Sequence, residues 1–376
     1  MELCDTILLL LVGVMFLVYG SYGALMFLSS KKKRYFKKDY VPSVALIVCT
    51  YNEEEVIERK IKNILMLDYP REKLKVVFVD SGSTDKTMNV IGNYLKDNPN
   101  FRLYIQERRM GQNSAENFVM PYVKDKIVVT TDAEVLFNRN SIKKIVKNFA
   151  HKNIGAVTGE QLLLRKDSLP RRMESIYKRL YYLIRKGESN MDSTFHVHGD
   201  LLAFRRKLWK PLNPHRGADD ASIAFNIRRK GYRVIHDSSA VFYESPPQTL
   251  GERELQKRKR AAVLFESIFM NLDMLFNRKF GVFGCIILPA NFFMLIISPF
   301  VFLSILILSS IKLITNFSQT FLFSVPFVFI LFMAMFILNQ FSSIGALIRV
   351  FLTRRGKNVL WEKTVTTRHA TANLNQ

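Results

Sequence analysis

Three long stretches without a charge constrain this chain most. Residues 7–28, ILLLLVGVMFLVYGSYGALMFL, carry none, and two more such runs extend from Val282 to Ile311 and from Phe317 up to Arg349. A helix needs about 20 apolar residues to cross a bilayer, so each is long enough to span one. A cleaved leader begins with basic residues, whereas this chain opens on Glu2 and Asp5, so the first run reads as a retained span. The expected organisation is a span at 1–30, a soluble domain at 31–250, an interfacial segment at 251–280, two spans within 281–352 and a tail at 353–376.

Charge orients these spans. Lys31, Lys32, Lys33 and Arg34 follow the first, Arg354 and Arg355 follow the last, and basic flanks stay on the cytoplasmic side. The N-terminus is then expected outside, with the middle domain and the tail in the cytoplasm. Lys312, between the second and third spans, is the exception to this pattern. The formal net charge of +23 raises a nucleic-acid reading, but the basic residues gather at membrane borders or are spread through the middle. A membrane-surface enzyme handling anionic substrates fits better, and no nucleic-acid partner is expected. Cys4, Cys49 and Cys285 have no pairable spacing, which suggests neither a disulfide framework nor a metal knot.

From Ser43 the chain alternates between strand and helix patterns. SVALIVCT and KLKVVFVD are buried-strand runs, EEEVIERKIKNILML and TDKTMNVIGNYLKD have helical spacing, and FRLYIQE, GQNSAENFVMPYV and KIVVTTDAEVLF follow. This alternation predicts an α/β fold with a mostly parallel sheet and helices on both faces. Ligands in such sheets bind outside the carboxyl ends of the strands. The first, second and fourth strands end in TYNEE, DSGSTD and DAE, so the topology gathers polar residues at one edge. Taken alone, Asp132 and Glu134 are either a solvated strand end or a cation-binding pair.

The ordered set IVCTYNEE, VFVDSGSTDKT, TTDAE, HGDLLAFRR, GADDASIAFNIRRKGYRV and QKRKR, from Ser43 to about Arg260, resembles the membrane-bound glycosyltransferases of family 2. That family has a GT-A fold, Rossmann-like with flanking helices, and inverts configuration. Its relatives include cellulose and hyaluronan synthases and dolichyl-phosphate sugar transferases. The resemblance implies that Thr50 and Tyr51 line the nucleotide base, that Glu53 reaches the nucleoside, and that Asp80 accepts a hydrogen bond from the base. DAE stands at the family's DxD motif, implying that Asp132 and Glu134 hold Mg²⁺ or Mn²⁺ on the donor diphosphate. Two residues apart in an extended segment, their side chains are expected to point the same way.

Asp220 matches the family's base, and Asp219 replaces its usual Glu; the same acids also suit the start of a helix that stops at Gly231. His198 and Gly199 fall in the segment that shapes the acceptor pocket, where glycine allows close backbone approach. His196 and His198 have the spacing of a zinc pair, yet no third ligand follows. Where polymerising members carry Gln-x-x-Arg-Trp, this chain has Gln256, Lys259 and Arg260. Lys259 can neutralise phosphate as a point charge, while Arg260 replaces the aromatic platform for the acceptor, which weakens a processive reading.

AAVLFESIFMNLDMLF places Val263, Leu264, Phe265, Ile268, Phe269, Leu272 and Phe276 near one helical face, as in a helix lying in the membrane interface or an ordinary core helix. In the tail, WEKTVTTR resembles a segment that folds back to the active-site mouth in membrane-bound relatives, with Trp361 and Arg368 as its distinctive residues. Residues 160–195 carry no motif and read as loops that shape specificity.

The expected function is inverting transfer from a nucleotide sugar, a UDP-sugar first, to a lipid or lipid-linked glycan. The rivals are a processive polysaccharide synthase and a silent nucleotide-sugar-binding scaffold. A transporter reading fails for want of spans and of intramembrane polar residues in this sequence. Three spans make few walls for a polymer channel, and a homo-oligomer would supply more.

Overall fold

The computed structural model describes residues 2–32, 38–163, 169–214, 219–244 and 250–315. The third apolar run and the tail with Trp361 and Arg368 lie outside these residues.

Helix α1 (Glu2–Ser30) leads into one eight-stranded sheet of β1 (Val44–Thr50), β2 (Leu74–Asp80), β3 (Phe101–Ile105), β4 (Ile127–Asp132), β5 (Leu136–Phe137), β6 (Ile154–Leu163), β7 (Leu202–Arg205) and β8 (Arg233–Glu244). The strand order is β3-β2-β1-β4-β7-β6-β8-β5. β3, β2, β1 and β4 run parallel, whereas β7 is antiparallel to both β4 and β6. The intervening helices are α2 (Ile57–Leu65), α3 (Thr87–Leu95), α4 (Gln112–Val119), α5 (Ser141–Val146), α6 (Leu169–Met191), α7 (Asp219–Arg229) and α8 (Leu250–Phe269).

Strand β1 explains the layering. Val44, Leu46 and Val48 point into a core that includes Ile57 and Ile61 of α2, while Ala45 and Ile47 point into one with Ala115 of α4 and Ile227 of α7. Both faces are covered, so the strand is apolar throughout rather than alternating. Register then fixes the edge: Thr50 lies opposite Asp80, and Cys49 opposite Asp132. The three strand ends expected to converge do so.

Most of the described residues between 160 and 195 are not loop. They contain the end of β6 and the whole of α6, whose polar and basic composition hid a helix that packs against α1. A Cβ on Gly187 would lie 2.2 Å from the Met26 carbonyl oxygen, so the two backbones meet directly.

The stretch after β8 is helical only to Phe269. Phe265 and Ile268 are buried against Phe283 and Ile287, whereas Leu272 and Phe276 lie beyond the helix and are exposed. The apolar face thus divides, one part packing on the second apolar helix and the other facing outward. That second helix, Phe283–Lys312, comprises π turns (Phe283–Ile287 and Phe293–Ile297) around α9 (Leu288–Phe292), then α10 (Ser298–Thr315). It and the Leu3–Ser30 stretch are long and apolar enough to cross a membrane. Lys312 forms an ion pair with Asp5, so this exceptional charge is neutralised by the start of α1.

Candidate active site

The loops after β1 and β2 are laced together. The Asp80 carboxylate accepts from the Ser83 amide at 2.8 Å, the Ser83 hydroxyl at 2.6 Å and the Thr50 hydroxyl at 3.0 Å. The Asn52 amide donates to Ser83 Oγ at 2.9 Å, and the Glu53 amide to Thr87 Oγ1 at 2.7 Å. Asn52 takes a left-handed φ of 51°, which asparagine tolerates. Thr50, Glu53 and Asp80 are all buried, so they back this edge of the sheet from behind. Tyr51 is half-buried, and the Arg109 guanidinium sits 4.4 Å from its ring centroid. Arg109 lies in a polar loop and carried no motif.

At the end of β4 the geometry departs from the extended-strand expectation. β4 stops at Asp132, Ala133 and Glu134 form a turn, and the Val135 amide reaches back to the Asp132 carbonyl at 3.4 Å. The turn re-aims Glu134, so strand alternation does not set the relative directions of the two carboxylates. Beneath it lies Lys60, 0% exposed, whose ammonium donates to Thr131 Oγ1 at 2.9 Å and the Val135 carbonyl at 2.6 Å and sits 4.3 Å from the Phe137 ring centroid. It therefore clamps the turn on both sides. Burial pulls this ammonium down to about 7, against the opposing pull of Asp132 and Asp200. Arg59, the neighbouring cation, is likewise pulled down by burial and held up by Glu134.

Asp220, the second residue of helix α7, lies close enough to Asp132 to feel its charge. Its carboxylate accepts from the Gly199 amide at 3.1 Å and from the Ala221 amide at 2.7 Å. Burial raises its pKa, the two amides oppose the rise, and Asp132 adds repulsion. A Cβ on Gly199 would be 3.5 Å from the Asp220 Cβ, an ordinary contact, so the amide rather than lack of room is what this glycine offers. Asp219 is the first residue of α7, but its side chain, like those of Gln256 and Lys259 on α8, lies outside the described residues.

The ring of His198 packs edge-on to Tyr181 and His196 and against Tyr182 and Phe242. Burial drives its pKa well below the ordinary value and lowers that of His196 to about 3, so both are neutral in this wall. Arg260 donates to Glu244 at 3.2 Å; burial works against its charge, but Glu244 and Asp200 more than restore it.

Two further carboxyls went unread in the sequence. Asp200, next to Gly199, is pushed well up by burial and by Glu244 and Asp132. Glu116 of α4 is pushed up to about 8 by burial, with Asp132 and Asp220 adding to the rise. Among the described residues no three or more His, Cys, Asp or Glu side chains converge to cage a metal. Asp132 and Glu134 nevertheless suit Mg²⁺ or Mn²⁺, which keep several positions for water and substrate phosphates.

The family model for glycosyl transferase family 2 matches residues 45–212. The poly-beta-1,6-N-acetyl-D-glucosamine synthase of Staphylococcus aureus is 24% identical over 255 residues, covering 65% of this chain and 61% of that protein. The enzyme of the same name from Staphylococcus epidermidis is 20% identical over 246 residues, 62% of this chain and 59% of its own length. The chain thus spans about three fifths of these curated relatives. Among solved structures, the mannosyltransferase PcManGT from Pyrobaculum calidifontis, in complex with GDP-Man and Mn²⁺, is 26% identical with a TM-score of 0.78, covering 94% of this chain and 100% of that one. The mixed, mostly parallel sheet with flanking helices is the GT-A fold.

Proposed function

We propose that the chain, whose residues 45–212 match the glycosyl transferase family 2 model, is an inverting, metal-dependent hexosyltransferase of that family. It moves a sugar from a nucleotide donor to a lipid or lipid-linked glycan at the cytoplasmic face of a membrane. The observation that carries this reading is the register that sets Thr50 opposite Asp80 and Cys49 opposite Asp132 at one sheet edge, with Asp220 close enough to Asp132 to feel its charge.

Tyr51 and Arg109 offer the nucleotide an aromatic and cationic surface, backed by Asp80 and Glu53. Asp132 and Glu134 would hold Mg²⁺ or Mn²⁺, which would supply neutralisation of charge on the donor diphosphate. Asp220 takes the proton of the acceptor hydroxyl as that oxygen attacks the anomeric carbon. The bond from that carbon to the diphosphate oxygen breaks on the opposite face, and the electron pair leaves with the nucleotide. The Gly199 amide aims Asp220, and Arg260 offsets the surrounding carboxyls. The membrane reading draws support from two apolar helices of spanning length and from α8, which packs Phe265 and Ile268 on the second.

The test is nucleoside diphosphate release by the purified chain in native lipids with Mn²⁺ or Mg²⁺. UDP-sugars come first and GDP-mannose beside them, since PcManGT was solved with GDP-Man. Turnover of one donor, dependent on metal and on lipid extract, is expected; no cleavage of any donor would sink the reading and favour the silent scaffold. Product mass separates a single addition from a polymer.

Lys60→Met is expected to weaken nucleotide binding in Mn²⁺ about tenfold, because the buried Val135 carbonyl loses its donor at a cost of about 1–3 kcal/mol. Calorimetric titration checks this, and unchanged affinity would show that the turn holds its shape without the clamp.

A further inference from the structure

We propose that Glu188 is a positioning residue through which the two apolar helices align the loop that carries the acceptor wall and the aim of Asp220. The proposal rests on the glycosyltransferase reading above for its effect on transfer, but not for its structural content.

Glu188 is 0% exposed, in the last turns of α6. Its two oxygens face different partners. Oε1 accepts from the Tyr22 hydroxyl of α1 and from Asn291 Nδ2 of α9 at 3.2 Å, and Asn291 also donates to the Tyr22 oxygen at 3.1 Å. Oε2 accepts from the Thr194 hydroxyl and the Phe195 amide, both at 3.0 Å. Arg185 supplies the counter-charge, with one guanidinium nitrogen 2.8 Å from each oxygen. From Phe195 the chain runs directly to His198, whose amide donates to Thr158 Oγ1 at 2.9 Å, and to Gly199, whose amide donates to Asp220. One carboxylate thus joins both apolar helices to a loop that ends five residues later on the proposed base.

Tethering alone does not explain this arrangement. A buried ion pair adds little net stability, because desolvation offsets its attraction, and apolar packing would hold the helices as well. What a buried, fully bonded carboxylate adds is geometry: it satisfies its partners in few arrangements. The contact around it is already rigid, since α1 and α6 meet backbone to backbone at Gly187, Ser29 Oγ donates to the Gly187 carbonyl at 2.9 Å, and Asn190 reaches the Ser29 carbonyl at 2.9 Å. The apolar helices are therefore part of the scaffold of the acceptor side, and a displacement there moves the aim of Asp220.

The experiment uses the full chain in lipid nanodiscs, comparing Tyr22→Phe/Asn291→Leu, Thr194→Val and Thr194→Ser. Two readouts are taken. Amide hydrogen exchange over residues 193–199 should speed up at least fivefold in the double variant and in Thr194→Val, and return towards the unaltered rate in Thr194→Ser. Transfer kcat should fall about tenfold or more in the first two, since small misplacements of reacting groups are costly, while nucleotide affinity in Mn²⁺ stays within twofold. Unchanged exchange over 193–199 in the double variant overturns the proposal whatever the activity. So does faster exchange with kcat intact, because the hub would then hold the helices without aiming the base. If the unaltered chain turns over no nucleotide sugar, the glycosyltransferase reading falls, and the exchange readout alone decides whether the hub couples helices to loop.

Discussion

Asp220→Asn is expected to lower sugar transfer by about 10²- to 10⁴-fold, the contribution of a positioned general base. The substitution is nearly isosteric, but the Gly199 amide donates to Oδ2 at 3.1 Å and the Ala221 amide to Oδ1 at 2.7 Å, so the single amide oxygen of Asn keeps one of these bonds and the other backbone donor loses its acceptor. Nucleotide affinity should therefore change little, while the melting temperature falls modestly, as for one lost hydrogen bond of about 1 kcal/mol. What is lost is the ability to take a proton. The pH profile gives an independent check. Burial raises the Asp220 carboxyl, so the acid limb of kcat/KM should lie above the ordinary aspartate value of about 3.9. Below that limb the base is protonated and idle; above it the rate reaches its plateau. Residual activity in Asp220→Asn should lack the limb. An Asn variant with full activity would move the base elsewhere, and Glu116, pushed up to about 8 beside the same site, would be next to test.

The sheet was legible because its central strands are buried on both faces. Leu46, Ile47 and Val48 cannot alternate with polar residues, so the apolar run announces itself, and the polar residue closing each strand marks the site edge. The helix α6 was not legible. Its polar and basic composition, LPRRMESIYKRLYYLIRKGESNM, reads as loop. Lys60 was hidden differently. A lysine usually means solvent, yet Ile57, Lys60, Ile61 and Ile64 recur at three and four residues on the buried face of α2. That spacing was the available signal. The turn after Asp132 was not legible, since two residues, Ala133 and Glu134, leave no mark in composition, and strand alternation ends with β4. Glu188 had no sequence signal, since its partners on the two apolar helices, Tyr22 and Asn291, lie 166 residues earlier and 103 later in the chain.

Asp132→Ala/Glu134→Ala carries the other large effect. Removing groups that stabilise developing charge at a single site costs about 10²- to 10³-fold in comparable enzymes, and losing both ligands should remove metal-dependent transfer altogether. The binding consequence is separable from activity. A cation that binds the folded state raises its stability by mass action, about 2.7 kcal/mol at a hundred times its dissociation constant. Adding Mn²⁺ with nucleoside diphosphate should therefore raise the melting temperature of the unaltered chain and leave that of the double variant where it was. The single variants discriminate further. Asp132 ends a strand beside Thr131, which Lys60 fixes, whereas Glu134 sits in the turn and is drawn towards Arg59. Asp132→Ala should thus abolish the shift, and Glu134→Ala should reduce it. Equal loss from either change would mean that Glu134 swings from Arg59 to the cation on binding, and a shift that survives Asp132→Ala would place the ligands among Asp200 and Glu116 instead.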